Sequence, residues 1–185
     1  MKRCSWAETN ELLMRYHDEE WGVPVHNDRQ LFEMLNLEGA QAGLSWLTIL
    51  ARRDNYRRAF DNFDTEKIAR YDEAKRADLL HDEGIIRNRL KVNAFIENAR
   101  ASLALRQQHD TLEAYLWSYT GGQKLTQADH DKAAEISEQM SKGLKRDGFR
   151  FVGPTTCYSF MQAAGMINDH TPDCFRYEAL RKVGA

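Results

Sequence analysis

Apolar residues recur at helical spacing along nearly the whole chain. Leu31, Leu35 and Ala42 share one stripe behind Asp28, a candidate N-cap, and predict a helix over 29–42. Ser45 is placed to cap a second helix, on which Trp46, Ile49, Leu50 and Phe60 fall near helical spacing. Asp64 and Asp72 read as caps of two short helices, the second ending near Gly84. One long helix is predicted over 87–108, and another over 111–119 that Gly121-Gly122 stops. Ile136, Met140 and Leu144, at i, i+4 and i+8, lie on a helix over 133–146 that ends at Gly148. A last long helix follows Gly153-Pro154 over 155–164. No stretch alternates as a strand would, and no repeat or low-complexity tract occurs. The expected fold class is all-α.

One residue breaks the first stripe. Glu38 falls on the face that Leu31, Leu35 and Ala42 predict to be buried. A carboxylate there is costly unless it is paired or used, so Glu38 is the leading candidate for chemistry. The alternative is a structural glutamate bonded to backbone amides or to an arginine. Trp6, Tyr16, Trp21 and Trp46 all lie in the first quarter of the chain. Flat aromatic faces with one carboxylate suit a planar nitrogen heterocycle, by stacking and by a charged acceptor. A Trp-rich core is the alternative for the aromatics.

Two pairs of metal-binding residue types stand at opposite ends of the chain, Cys4 with His17 and His170 with Cys174. Together they make a Cys₂His₂ set, the coordination preferred by structural zinc, with no open position for catalysis. The H-x-x-x-C spacing predicts both later donors on one face of a helical turn. One isolated cysteine with surface histidines is the competing reading. Cys157 is left over and reads as a small buried hydrophobe. The three cysteines are too few and too scattered for a disulfide framework.

Composition adds bounds. With 185 residues, 42% of them hydrophobic and 29% charged, the chain has the makings of one substantial core or of two lobes sharing one. The polar stretch 121–131 is the one plausible lobe boundary, and metal ligands from both ends argue for a single domain over 1–185. No apolar run of about 18 residues and no apolar leader occur, so a cytoplasmic protein with no membrane partner is expected. A monomer is expected as well. The net charge of −2 announces no nucleic-acid partner by itself. Basic clusters at Arg52-Arg53, Arg57-Arg58, 87–91 and 142–150 fit phosphate binding, and also fit solvated helix faces. The segment from Gly148 to Thr156 joins two helices by a glycine-containing turn, and a helix N-terminus just beyond it suits a phosphate.

These motifs converge on a family. The stretches are Arg3-Cys4-x-Trp6, Tyr16-His17-Asp18-x-Glu20-Trp21-Gly22-Val23-Pro24, Leu31-Phe32-Glu33 and Leu37-Glu38-Gly39-x-Gln41-Ala42-Gly43-Leu44-Ser45-Trp46-x-Thr48. They continue with Gly84-Ile85-Ile86-Arg87-x-Arg89, Phe149-x-Phe151-Val152-Gly153, and Tyr158-Ser159-Phe160-Met161-Gln162-Ala163 through Asn168-Asp169-His170. In order and over roughly residues 3–174, the chain resembles the bacterial 3-methyladenine DNA glycosylase I family of the helix-hairpin-helix glycosylase superfamily.

The resemblance implies hydrolysis of the N-glycosidic bond of 3-methyladenine in double-stranded DNA containing alkylated adenine. It implies one structural Zn²⁺ on Cys4, His17, His170 and Cys174. Glu38 and Tyr16 would hydrogen-bond the flipped base and Trp46 would stack on it, with Trp6 and Trp21 as pocket walls. The Gly43-Leu44 turn would fill the gap in the duplex, and the hairpin at Val152, Gly153 and Pro154 would grip the backbone. Asp169 lies where many superfamily members carry an aspartate for the attacking water, although its neighbour His170 is assigned to zinc. Bifunctional members have a lysine after the hairpin, where this chain has Pro154-Thr155-Thr156, so no strand-cleaving activity is expected. The tail after Cys174 is expected to be peripheral. A zinc-stabilised module that senses lesions without cleaving them is the rival from another class. A zinc hydrolase is disfavoured because four protein ligands close the site.

Overall fold

A computed structural model describes residues 1–181 and 183, with Gln127 described by its backbone alone. The end of the tail, 182 and 184–185, lies outside the described residues. The chain is mostly helical. A short 3-10 turn over Ser5–Thr9 precedes α1 (Glu11–Glu19) and α2 (Asp28–Ala40). Five further helices follow: α3 (Trp46–Leu50), α4 (Arg53–Ala59), α5 (Thr65–Ala69), α6 (Glu73–His81) and α7 (Arg89–Leu105). After α8 (Leu112–Ser118) come α9 (His130–Arg146), α10 (Pro154–Ala163) and α11 (Phe175–Arg181).

Local chemistry sets most of the helix starts. Side-chain oxygens of Ser45, Asp64, Asp72 and Thr111 accept amides of the first turns of α3, α5, α6 and α8. The start of α2 differs from expectation. Asn27 is its cap, accepting from the Gln30 N–H at 3.0 Å. Asp28 is drawn across space and takes the N–H groups of Leu112 and Glu113, at 3.2 and 2.8 Å. The helix expected from Ser45 to Phe60 breaks into α3 and α4. At the other end α2 stops at Ala40, so Ala42 lies exposed beyond it instead of extending the stripe.

Helix α2 is the axis of the fold. Every residue from Leu35 to Ala40 is buried, and α2 packs against α7, α8 and α10. One apolar cluster runs from Val25 through the Tyr56, Phe60, Phe63 and Phe95 rings to Ile167. A second joins Cys4, Leu13, Tyr16 and Trp21 to Cys174. Helices α9 and α10 pack against each other through the turn 147–153, which contains a left-handed Phe151 (φ 55°). Gly39 permits that turn to dock, because a Cβ there would lie 3.1 Å from both Cβ and O of Phe151.

Three further expectations need correction. A parallel pair of two-residue strands, β1 (Leu125–Thr126) and β2 (Ile167–Asn168), interrupts the all-helical reading. Two residues are too few to show an alternation. His170 and Cys174 sit on an irregular turn, closed by Cys174 N–H to Thr171 O at 2.8 Å, and not on a helix, which begins only at Phe175. The tail is also integral. Leu180 is buried, and Phe175 N–H donates to Lys2 O at 3.0 Å, joining the two ends of the chain. Among the described residues, no helix is long and apolar enough to cross a membrane.

Candidate functional site

The aromatic residues of the first quarter assemble because α1 lies across α3. Tyr16 on α1 meets Trp46 on α3 at 5.4 Å between ring centroids. The 3-10 turn brings Trp6 to 6.4 Å from Tyr16 and edge-on to Trp21 at 5.1 Å. These four rings and Glu38 line a cavity of about 350 Å³, a size that suits a single base. Gln41, Ser159, Gln162 and Asp169 also line it, with Cys4, Ser5 and Thr171 on the side of the chain ends. Spacing held a signal for three of them that was missed. Gln41 lies three residues after Glu38, and Ser159 and Gln162 are three apart on α10.

Glu38 is 7% exposed. Burial, with no donor set against it, pushes its carboxyl up to about 8. The carboxyl is therefore largely neutral at pH 7 in the ligand-free site. Tyr16 is held far above its ordinary range, first by burial and then by Glu38, so its phenol keeps its proton. Asp169 accepts from Gln162 Nε2 and so faces the cavity already engaged.

A smaller space of about 200 Å³ shares Glu38, Gln41 and Ser159 with this cavity and continues past Gly43 and Leu44 to Thr155 and Thr156. Gly43 has φ +75° with open space where a Cβ would stand, so backbone conformation, not room, requires glycine. Leu44 beside it is 38% exposed. Beyond Thr155 lie Pro154, which is exposed, and Gly153, the N-cap of α10. Val152 is buried, with its carbonyl taken by Ser141 Oγ at 2.7 Å, so Gly153 and Pro154 are the surface of that turn.

The sulfur- and imidazole-bearing residues gather beside the pocket, with Cys4 in its wall. Ligand atoms of Cys4, His17 and Cys174 all lie within 4.8 Å of one another, close enough to serve one metal ion. His17 Nδ1 faces Asp18 at 2.8 Å, and Arg3 holds that carboxylate with a forked pair of bonds, keeping it below its ordinary range. Such a partner directs Nε2 of His17 toward the two sulfurs. His170 is not within that triad. Its ring centre is 4.9 Å from that of His17, and its Nδ1 is 3.0 Å from Asn168 Oδ1. Its Nε2 is buried with no hydrogen-bond partner among the described residues. Burial pushes this imidazole down to about 3, so it is neutral and has a free lone pair. An orphaned buried nitrogen next to the imidazole of that triad fits a metal ligand.

The likenesses to known proteins agree with this geometry. Residues 6–177 match the family described as methyladenine glycosylase. DNA-3-methyladenine glycosylase 1 of Escherichia coli is 46% identical over 182 residues, covering 96% of this chain and 97% of its own. A crystal structure of 3-methyladenine DNA glycosylase I superposes with a TM-score of 0.89 at 47% identity, over 94% of this chain and 98% of the other. The Staphylococcus aureus 3-methyladenine DNA glycosylase I, solved for the structural basis of its 3-methyladenine recognition, gives 0.89 at 34% identity, over 95% and 96%. Fold and likeness together define a DNA glycosylase, an enzyme that hydrolyses a base from its sugar. The chain belongs to the methyladenine glycosylase family, and its activity is that of a DNA-3-methyladenine glycosylase.

Proposed function

We propose that this enzyme takes N3-methylated adenine out of duplex DNA by turning the nucleotide into the cavity of Trp6, Tyr16, Trp21 and Trp46, where Glu38 receives it. The observation that carries this reading is a buried carboxyl, with its pKa raised by burial, in the wall of an aromatic cavity. Methylation at N3 gives the base a formal positive charge and makes it a good leaving group. Glu38 ionises against the cation, and Trp46 adds stacking and cation–π attraction. Normal adenine carries no charge, so it gains nothing from Glu38 and binds less well than the cationic lesion. Tyr16, held as a phenol, donates to an acceptor on the base edge.

The α9–turn–α10 unit acts as the helical hairpin. The amides exposed at Gly153 and the first turn of α10 take the DNA backbone, while Leu44 enters the gap left by the flipped nucleotide. The enzyme is monofunctional, because Pro154, Thr155 and Thr156 provide no amine for a Schiff base. One Zn²⁺ on Cys4, His17, Cys174 and His170 ties both ends of a single domain of two lobes around the cavity. It supplies no reaction step. Asp169 is already bonded to Gln162 and neighbours the zinc ligand His170, so the group that activates the water is left unassigned.

Methylated duplex DNA incubated with the protein should release 3-methyladenine and leave intact strands bearing abasic sites. Strand nicks with a trapped Schiff base would sink the monofunctional reading. Trp46→Ala removes a stacked ring worth roughly 1–3 kcal/mol per base. Calorimetry should then show about tenfold or greater loss of affinity for free 3-methyladenine, and an unchanged affinity would remove Trp46 from the pocket.

A further inference from the structure

Lys91 is a buried lysine whose place does not serve its own helix. It is the third residue of α7, where Asn88 Oδ1 caps its N–H at 3.1 Å. A cation in the first turn opposes the positive end of the helix dipole. Burial also lowers its pKa, another sign that the site costs the lysine something. What its ammonium does is reach α2, donating to Ala40 O at 2.8 Å and to Ala42 O at 2.7 Å. Those carbonyls belong to the last residue of α2 and to the turn beyond it, the end of a helix where cations are favoured. Between and just after them stand Gln41 and Gly43-Leu44, all bordering the groove that leads from Glu38.

The same face of α7 holds a second buried polar residue, seven positions on. Asn98 Nδ2 donates to Asn36 Oδ1 on α2 at 2.9 Å, and Asn98 Oδ1 accepts from Arg150 N–H at 2.7 Å in the turn before α10. Helix α7 thus fastens the two segments that flank the groove, one through Lys91 and one through Asn98. Only the Lys91 bonds reach the exposed turn that carries Leu44.

We propose that Lys91 is a positioning residue for duplex DNA: by bridging the Ala40 and Ala42 carbonyls it sets the Gln41–Ser45 turn so that Leu44 stands ready to enter the helix. This rests on the reading of Leu44 as the group that fills the vacated gap. Lys91 does not line the base cavity, so it acts on the flipping of the nucleotide and not on the fit of the base.

A double-mutant cycle tests it, with excision from methylated duplex DNA as one readout and calorimetry of free 3-methyladenine as the other. Lys91→Met should lower excision about tenfold and leave free-base affinity within about twofold. Leu44→Ala should also lower excision, and adding Lys91→Met to it should cost less than about twofold more. Lys91→Gln, whose shorter amide cannot span both carbonyls, should give the same pattern at smaller amplitude. It keeps the cycle available in a folded protein if the methionine variant fails to fold. Independent, multiplying losses in the double variant overturn the proposal while leaving the reading of Leu44 standing. A loss of free-base affinity that parallels the loss of excision also overturns it, since Lys91 would then support the fold at large. Full activity in Leu44→Ala alone overturns the reading of the turn and the proposal with it.

Discussion

Glu38→Gln melts at a higher temperature than wild type at pH 8, melts with it at pH 5, and loses excision of 3-methyladenine at least tenfold. The sign comes from the buried carboxyl. In the folded protein its pKa is raised to about 8 from an ordinary 4.5, so the native state binds this proton more tightly than the unfolded chain does. The protonated group therefore contributes full stability below about pH 4.5. That contribution drains away as pH rises toward 8, where the native state must carry a buried, unpaired charge. Each unit is worth about 1.4 kcal/mol, so the wild type forfeits roughly 4 kcal/mol relative to a glutamine that never ionises. For a chain of this length that is on the order of 10 °C in Tm. Thermal denaturation of both proteins in parallel from pH 5 to 9 cancels the other titrations. A melting gap that stays constant across that range would show that Glu38 is not the group storing this cost.

The functional half has the same origin. On the function proposed above, a cationic base offsets the desolvation of Glu38, and the carboxyl would ionise as the lesion enters. Glutamine keeps the shape and removes the charge that discriminates. On that reading stability is sacrificed where selectivity is made, a pattern common to sites that must bind charge in an apolar setting.

Cys174→Ser carries the second large effect. Purified wild type should hold one equivalent of zinc by elemental analysis, and the variant well below that. Structural zinc in small peptides accounts for about 10–16 kcal/mol of binding. Here a large apolar core remains without the metal, so a loss of several kcal/mol and roughly 10 °C in Tm is the expected scale. Affinity for 3-methyladenine should fall with it, since Cys4 lines the cavity itself. Trp6 lies 5.4 Å from the His17 ring and Trp21 lies 4.4 Å from His170, so the donors form the back of two pocket walls. His170→Ala separates a closed four-donor site from the Cys4–His17–Cys174 triad alone. Metal retained at full stoichiometry with an unchanged Tm would leave His170 outside the site. Unaltered metal content and Tm in Cys174→Ser would misassign the site altogether.

Much of this was readable from residues alone, because it depends on interactions between near neighbours. Capping by Ser45, Asp64, Asp72 and Thr111 is a bond between a side chain and an amide two or three residues away, and periodic apolar positions report the face that a helix buries. Glu38 was conspicuous for the same reason, as the wrong residue on that face. Where local signals compete with distant ones, the sequence misled. Asp28 has the chemistry of a cap and spends it on α8. Ala42 continues a stripe that α2 has already ended. The i, i+4 spacing of His170 and Cys174 suggested a helix, but the turn there is shaped to meet Cys4 and His17 from the other end of the chain.

The sequence by itself determined most of the helices and caps, the supply of donors and aromatics, and through family likeness the reaction. Tertiary structure decided which of them meet. Only the crossing of α1 over α3 puts Tyr16 against Trp46, and only the docking of α7 on α2 puts Lys91 on the carbonyls of Ala40 and Ala42. The pairing of β1 with β2, the burial of Leu180 and the joining of Lys2 to Phe175 are likewise contacts between segments far apart in the chain. Such contacts cost loop-closure entropy and form only when the whole core closes around them, so no window of neighbouring residues carries their signal.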